Sequence, residues 1–338
     1  MNNIPDRIFP EIPAMSSDPN FAEKMNHLAQ ERIPFLFILD FDLRQTFVIP
    51  AGDIDEDRIL YKVGTNTNIP ENADFPVPGI TGIVPPDYSS YSNTFNLVQK
   101  EIQFGNSYLL NLSFRSEIKL TGSLKDICLF SRAPYKLYLR DRFVLFSPES
   151  FVKIHKGRIY TYPMKGTKVK ENEESCQEVL SDIKESAEHA TITDLLRNDL
   201  AMVAKDVRVD RYRFIDEINT KERTILQVSS EISGDILPDY IEKPGDIFAR
   251  ILPAGSVTGA PKAKTIEIIK KTENYNRGFY TGVFGFFDGE TLDSAVMIRF
   301  IEKEGEDYYY KSGGGITCMS QAEKEYREII DKIYVPVY

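Results

Sequence analysis

The stretch Leu137–Pro163, LYLRDRFVLFSPESFVKIHKGRIYTYP, constrains the fold more than any other. It alternates apolar and polar residues, the period of a half-buried strand, and breaks at Arg140–Asp141 and Lys156–Gly157, pairs that suit tight turns. Strands joined by such short turns run antiparallel, because a parallel neighbour needs a crossover of a dozen or more residues. FYTGVFGFFDGETLDSAVMIRFIE repeats the device, with Asp288–Gly289 between two apolar runs as a hairpin turn. Phe35–Ile49 reads as strand, turn and strand, and Tyr108–Phe114 as a further strand. Strands in hairpins, without a strict strand–helix–strand rhythm, favour an α+β fold over a doubly wound one.

Helical patterns cover Asn20–Glu31, Tyr91–Phe104, about Glu174–Ala204, a segment beginning near Pro261, and Ser320–Ile333. Ser320 with Glu323 fits a capping box at the start of the last helix. Residues 69–90, rich in Pro, Gly and Asn, suit a linker or an inter-lobe loop. At 338 residues, the chain divides into an N-terminal region, 1–90, and a main domain, 91–338.

The net charge of −10 argues against a nucleic-acid partner and against attachment to an anionic membrane surface. Apolar stretches such as Phe35–Leu39 fall far short of a bilayer span, and no signal-peptide pattern opens the chain. Cys128, Cys176 and Cys318 form neither a disulfide framework nor a zinc spacing, which suits a reducing compartment and a cytoplasmic protein.

Two helices carry paired carboxylates. Glu185, Glu188 and His189 stand at i, i+3 and i+4, and Glu325 and Glu328 at i, i+3, with Lys332 four residues on. Oxygen ligands converging from two helices suit a hard cation such as Mg²⁺. The same spacing is also that of solvated surface pairs. GSVTGAPK (Gly255–Lys262) is a glycine-rich entry to a helix, open to an anion or to a plain capped turn, and it is not a Walker A loop. Gly313–Gly315 reads as backbone approaching a ligand or as a strained turn. Lys165, in PMKGT, is a nucleophile if desolvation lowers its pKa, and a solvated lysine otherwise. Arg299, near the end of the apolar strand SAVMIRF, needs an acidic partner if buried.

In order, FSPES, YPMKGT, DIKESAEHATITDLLRNDLAMVA, LPAGSVTGAPKAKTIEII, RGFYTGVFGFF, DSAVMIRF and GGGITCMSQAEKEYREIIDK resemble the blocks of the chorismate-utilising enzymes. These include anthranilate synthase component I, aminodeoxychorismate synthase component I and isochorismate synthase. The resemblance runs from about residue 140 to residue 332, with weaker similarity from Tyr91. It implies two large antiparallel sheets packed face to face with helices outside. It also implies chorismate as substrate and Mg²⁺ held directly by Glu188 and Glu328, with Glu185 and Glu325 in support. By the same match Glu149 is a general acid at the ring C4 hydroxyl. Tyr280, Arg299, Gly313 and Lys332 hold substrate carboxylates, Gly166, Thr167 and Ser256 line the pocket, and His189 sits beside the metal.

Two positions separate the members. Lys165 stands where anthranilate synthases carry alanine and aminodeoxychorismate synthases a lysine that resembles a covalent nucleophile. Leu109 stands where isochorismate synthases carry a water-activating lysine. Both point to aminodeoxychorismate synthase component I, with ammonia from a separate glutamine amidotransferase subunit. Anthranilate synthase component I and a non-catalytic chorismate-binding subunit are the alternatives.

Overall fold

The computed structural model describes residues 17–70, 77–170, 175–181, 183–219 and 224–337. The side chains of Lys165 and Thr167 lie outside the described residues, although their backbone lies within them.

One nine-stranded sheet contains β1 (Phe35–Leu39), β2 (Thr46–Pro50), β9 (Ser150–His155), β10 (Arg158–Thr161), β11 (Met164–Val169), β12 (Ala204–Asn219), β13 (Thr224–Ile236), β15 (Val283–Phe287) and β16 (Leu292–Val296). The other contains β3 (Ile59–Val63), β4 (Asn66–Thr67), β5 (Gly79–Val84), β6 (Leu109–Thr121), β7 (Tyr135–Leu139), β8 (Phe143–Ser147), β14 (Gly259–Ala260), β17 (Phe300–Glu304) and β18 (Asp307–Ile316). Along the main paths the orders are β11-β13-β10-β9-β16-β15-β1-β2 and β14-β6-β18-β17-β8-β7-β3-β4. The helices are α1 (Phe21–Gln30), α2 (Tyr88–Gln103), α3 (Leu124–Phe130), α4 (Ser175–Ser181), α5 (Ile183–Ala201), α6 (Pro244–Ile251), α7 (Lys262–Thr272) and α8 (Ala322–Asp331). The fold is therefore the α+β architecture expected, with two large antiparallel sheets.

The layering follows from β1, whose five residues FLFIL are all buried. Phe35, Phe37 and Leu39 pack with Met25 of α1, Ile192 of α5 and Phe248 of α6. Leu36 and Ile38 face inward to Tyr61 of β3, Leu137 of β7 and Leu145 of β8, strands of the opposite sheet. A strand covered on both faces has no place for alternation, so it reads as a continuous apolar run. On the outer face of the second sheet, Leu110, Leu112 and Phe114 of β6 sit under Tyr91 of α2, Ile268 of α7 and Ile329 of α8.

Several local elements differ from their sequence patterns. SAVMIRF is not one strand: β16 ends at Val296 in the first sheet and β17 begins at Phe300 in the second, so Met297–Arg299 is a crossing. The helical region about Glu174–Ala204 holds α4 and α5 among the described residues, and Ala204 opens a long hairpin, β12–β13, whose broken register hid its alternation. Residues 79–84 of the supposed linker form β5, paired with β6. Gly313–Gly315 is no turn but part of β18, in register with Ser113–Asn111 of β6. The capping box is absent: Gln321 is the N-cap without a side-chain bond, and Ser320 Oγ accepts from the Thr317 N–H at 3.2 Å, closing the turn after β18. The helix beginning near Pro261 is α7, with Pro261 as its N-cap.

Candidate active site

Two short crossings between the sheets lie together. β8 of the second sheet continues through Pro148–Glu149 into β9 of the first, and β16 of the first through Met297–Arg299 into β17 of the second. The crossings run side by side. Phe146 N–H donates to Arg299 O at 3.2 Å and Val296 N–H to Glu149 O at 3.3 Å. Glu149 and Arg299, 150 residues apart in sequence, are thus brought to one seam between the sheets. Arg299 takes a positive φ of 53° there, and its guanidinium lies over the Tyr334 ring at 5.4 Å. Tyr280 is buried and packs edge-on against Phe300, the residue after Arg299, at 6.1 Å.

Because β17 turns away, its pairing with β18 stops at Phe300↔Lys311. Residues 312–316 of β18 therefore pair with β6 alone among the described strands. This leaves glycine backbone at a sheet gap, where N–H and C=O groups can meet a ligand. Lys332, at the end of α8, donates to Gly313 O at 2.8 Å and to Glu328 Oε1 at 2.7 Å. A Cβ on Gly313 would stand 2.8 Å from Leu112 O, so the strand needs glycine there. A Cβ on Gly314 would stand 3.6 Å from Glu328 Oε1 and 3.8 Å from Glu325 Oε2, which shows both carboxylates converging on that glycine. Burial first, and then the Glu325 and Glu328 charges, push the Tyr91 phenol well above its ordinary pKa.

Glu188 and His189 come from α5, which packs on β11, β13 and the Gly255–Val257 turn. Both are buried, and His189 Nε2 shares a 2.6 Å hydrogen bond with Ser230 Oγ of β13. Ser230 N–H in turn donates to Pro163 O, just before β11. On β11 the register slips between Met164 and Thr167, and Gly166 has a φ of 80°. Lys165 and Gly166 thus occupy a bulge, a device that re-aims a side chain. Leu109, at the start of β6, is buried and packs with Val257 and Val296, so no proton acceptor stands there.

Ser256 sits in a turn locked from α5. Asp199 accepts the Gly255 N–H at 3.1 Å and pairs with Lys262 at 2.6 Å. The anion reading of this loop is thereby narrowed, since a protein carboxylate already takes the first amide. Ser256 Oγ itself is buried and meets no hydrogen-bond partner among the described residues.

Among the described residues no group of three or more His, Cys, Asp and Glu side chains is close enough to hold a metal ion by itself. Mg²⁺ commonly takes only one or two protein carboxylates and completes its shell with water and substrate oxygens. The all-oxygen donors of Glu325 and Glu328, converging on a glycine beside a strand gap, fit that demand.

The polar groups beneath the site, Glu273, Arg277, Asp199 and Asn111, are barely marked in the sequence. Glu273 and Arg277 stand at i, i+4, the one visible signal, but that spacing is commonplace on surfaces.

The chorismate binding enzyme family matches residues 65–337. The chain belongs to that family. It is 47% identical over 318 residues to an uncharacterised PabA-like protein of Pasteurella multocida, covering 94% of this chain and 98% of the relative. To aminodeoxychorismate synthase component 1 of Salmonella typhimurium it is 31% identical, over 72% of this chain and 56% of that one. To anthranilate synthase component 1 of Aquifex aeolicus it is also 31% identical, over 73% and 54%. The chain thus spans about half the length of these two synthases. Among solved structures, anthranilate synthase component I of Streptococcus pneumoniae superposes with a TM-score of 0.66 at 27% identity, over 77% of this chain and 60% of that one. A putative isochorismate synthase of Bacillus anthracis, at 19% identity, shares the fold with a TM-score of 0.68, over 93% and 87%.

Proposed function

We propose that this chorismate-binding enzyme is an aminodeoxychorismate synthase component I, converting chorismate and ammonia to 4-amino-4-deoxychorismate. The observation that carries this reading is a lysine, Lys165, at the bulge of β11, together with a buried leucine, Leu109, where water activation would need a base. In the reaction the neutral Lys165 amine attacks C2 of chorismate. The ring double bond shifts and the C4–O bond breaks, with Glu149 giving its proton so that water leaves. Ammonia then attacks C4, the double bond shifts back, and the C2–N bond to Lys165 breaks. The sum is chorismate plus ammonia giving aminodeoxychorismate plus water. Covalent catalysis of this kind splits one awkward replacement into two allylic displacements.

Arg299, Lys332 and Tyr280, with the Gly313 backbone, hold the two carboxylates of chorismate. Ser256, Gly166 and Thr167 line the pocket around the ring and its side chain, and His189 sits beside the metal ligand Glu188. Glu188 and Glu328 are the proposed direct ligands of Mg²⁺, and Glu185 and Glu325 support them. When bound, the ion offsets negative charge on the ring carboxylate. Ammonia comes from glutamine through a partner amidotransferase subunit, and the product, 4-amino-4-deoxychorismate, is a precursor of p-aminobenzoate and folate.

Incubation of the protein with chorismate, Mg²⁺ and ammonium, with products separated by mass, tests the reading. Aminodeoxychorismate is expected, and a covalent adduct on Lys165 when ammonium is withheld. Lys165→Ala is expected to lose at least about 100-fold in turnover, the scale of an essential nucleophile. Full activity in that variant, or anthranilate as product, would replace the reading.

A further inference from the structure

Arg277 lies three residues before Tyr280, with its side chain 2% exposed. A guanidinium has five N–H donors in a rigid fork, and Arg277 uses all of them within the protein. Nε donates to Glu273 Oε2 at 2.8 Å, and Nη2 to Glu273 Oε1 at 2.6 Å. Nη1 donates to Val257 O at 2.8 Å and to Thr281 Oγ1 at 3.3 Å. Nη2 also donates to Asn111 O at 2.7 Å. Glu273 Oε1 in turn accepts the N–H and the hydroxyl of Ser113, at 2.9 and 2.7 Å.

One side chain therefore ties three separate segments: the turn holding Ser256, strand β6 at Asn111, and the turn holding Tyr280. Two of these segments carry a buried side-chain oxygen with no hydrogen-bond partner among the described residues. One is Ser256 Oγ, beside the clamped Val257 carbonyl, and the other is Asn111 Oδ1, on a residue whose own carbonyl is clamped. Asn111 shares the inward face of β6 with Leu109, and its Oδ1 is 3.1 Å from where a Cβ on Gly313 would stand. Unspent buried acceptors are costly unless a ligand donor meets them. A buried ion pair adds little stability over an apolar pair of the same shape, whereas five directed donors specify geometry.

We propose that Arg277 is a positioning residue, and that its clamp on Val257 and Asn111 holds Ser256 Oγ and Asn111 Oδ1 at fixed places to accept N–H or O–H donors of the bound ligand. The identity of that ligand as chorismate rests on the function proposed above.

Chorismate binding by calorimetry, steady-state kinetics and thermal melts test the clamp on five proteins: wild type, E273Q/R277M, R277K, N111A and N111A/R277K. E273Q/R277M removes both buried charges together but leaves the Val257 and Asn111 carbonyls without their donor, so it is expected to melt below wild type and to bind chorismate about tenfold more weakly. R277K is expected to raise KM by about tenfold while kcat falls less than about threefold. N111A is expected to weaken binding in the wild-type background and to add less than about twofold in R277K, where Asn111 is already misplaced. An R277K protein within twofold of wild-type KM overturns the proposal, whether or not the double variant folds. So does full additivity of N111A and R277K. A wild type that binds no chorismate sinks the substrate reading alone. The clamp is then judged by hydrogen exchange at Val257–Thr258 and Asn111, where unchanged protection in R277K overturns it.

Discussion

Single residues in this protein are often defined by what surrounds them rather than by their type. Asp40 follows β1 and is 5% exposed, accepting the N–H groups of Arg44 at 2.7 Å and Gln45 at 3.0 Å. Burial, only partly offset by those bonds, raises its pKa from 3.8 to about 6. A carboxyl with a raised folded-state pKa stabilises the fold most below its unfolded pKa, and the contribution is lost as pH rises through the folded value. Between about pH 4 and pH 7 this one group removes up to about 3 kcal/mol, because each tenfold change in proton affinity is worth about 1.4 kcal/mol. Asp40→Asn retains an acceptor for both N–H groups without the charge. Chemical denaturation at pH 4 and pH 8 is expected to show the variant matching wild type at the lower pH and exceeding it at the higher. An equal difference at both would show that Asp40 titrates normally. Lys165 shows the opposite limit of legibility: its block marks it in the sequence, whereas the bulge in its strand is a matter of register with β13.

At the scale of elements, the connection from α5 to α7 buries a charge. The Asp199 side chain is 4% exposed and pairs with Lys262 at 2.6 Å. Burial raises the Asp199 pKa, and Lys262 counters it. Lys262→Met would leave a buried carboxylate uncompensated, and urea unfolding is expected to show a loss of about 3–5 kcal/mol. Asp199→Asn added to it should restore most of that stability, since an amide can still accept the Gly255 N–H. If the double variant is no better than the single one, the loss comes from the Lys262 bond to Ile251 O instead. Hairpins and amphipathic helices were readable at this scale because their turns and periods are local. The split of SAVMIRF between two sheets was not, because Met297–Arg299 is apolar enough to continue a strand and only the pairing partners on either side show the break.

Over the whole molecule, the N-terminal strands belong to both sheets. β1 and β2 extend the first beyond β15, while β3 and β4 extend the second beyond β7 and β5 lies on β6. Their removal would expose Phe284 and Phe286 on one side and Leu137 on the other, each buried against β1 or β3. A chain starting at residue 91 is therefore expected to be insoluble or molten on expression, with lost near-ultraviolet dichroism. The full chain is expected to melt in one transition. A truncated chain with native dichroism and turnover would show that residues 1–90 are dispensable packing. No helix among the described residues is long and apolar enough to cross a membrane.

The sequence by itself determined the class of fold and the family, because alternation, turn pairs and motif blocks are properties of neighbours along the chain. Tertiary structure alone decided that Glu149 and Arg299 lie on two adjacent strand crossings, that the glycine run is an open strand edge, and that Arg277 lies beneath the site. Each of these depends on pairing between segments far apart along the chain, and no local pattern encodes which strand stops short of its neighbour.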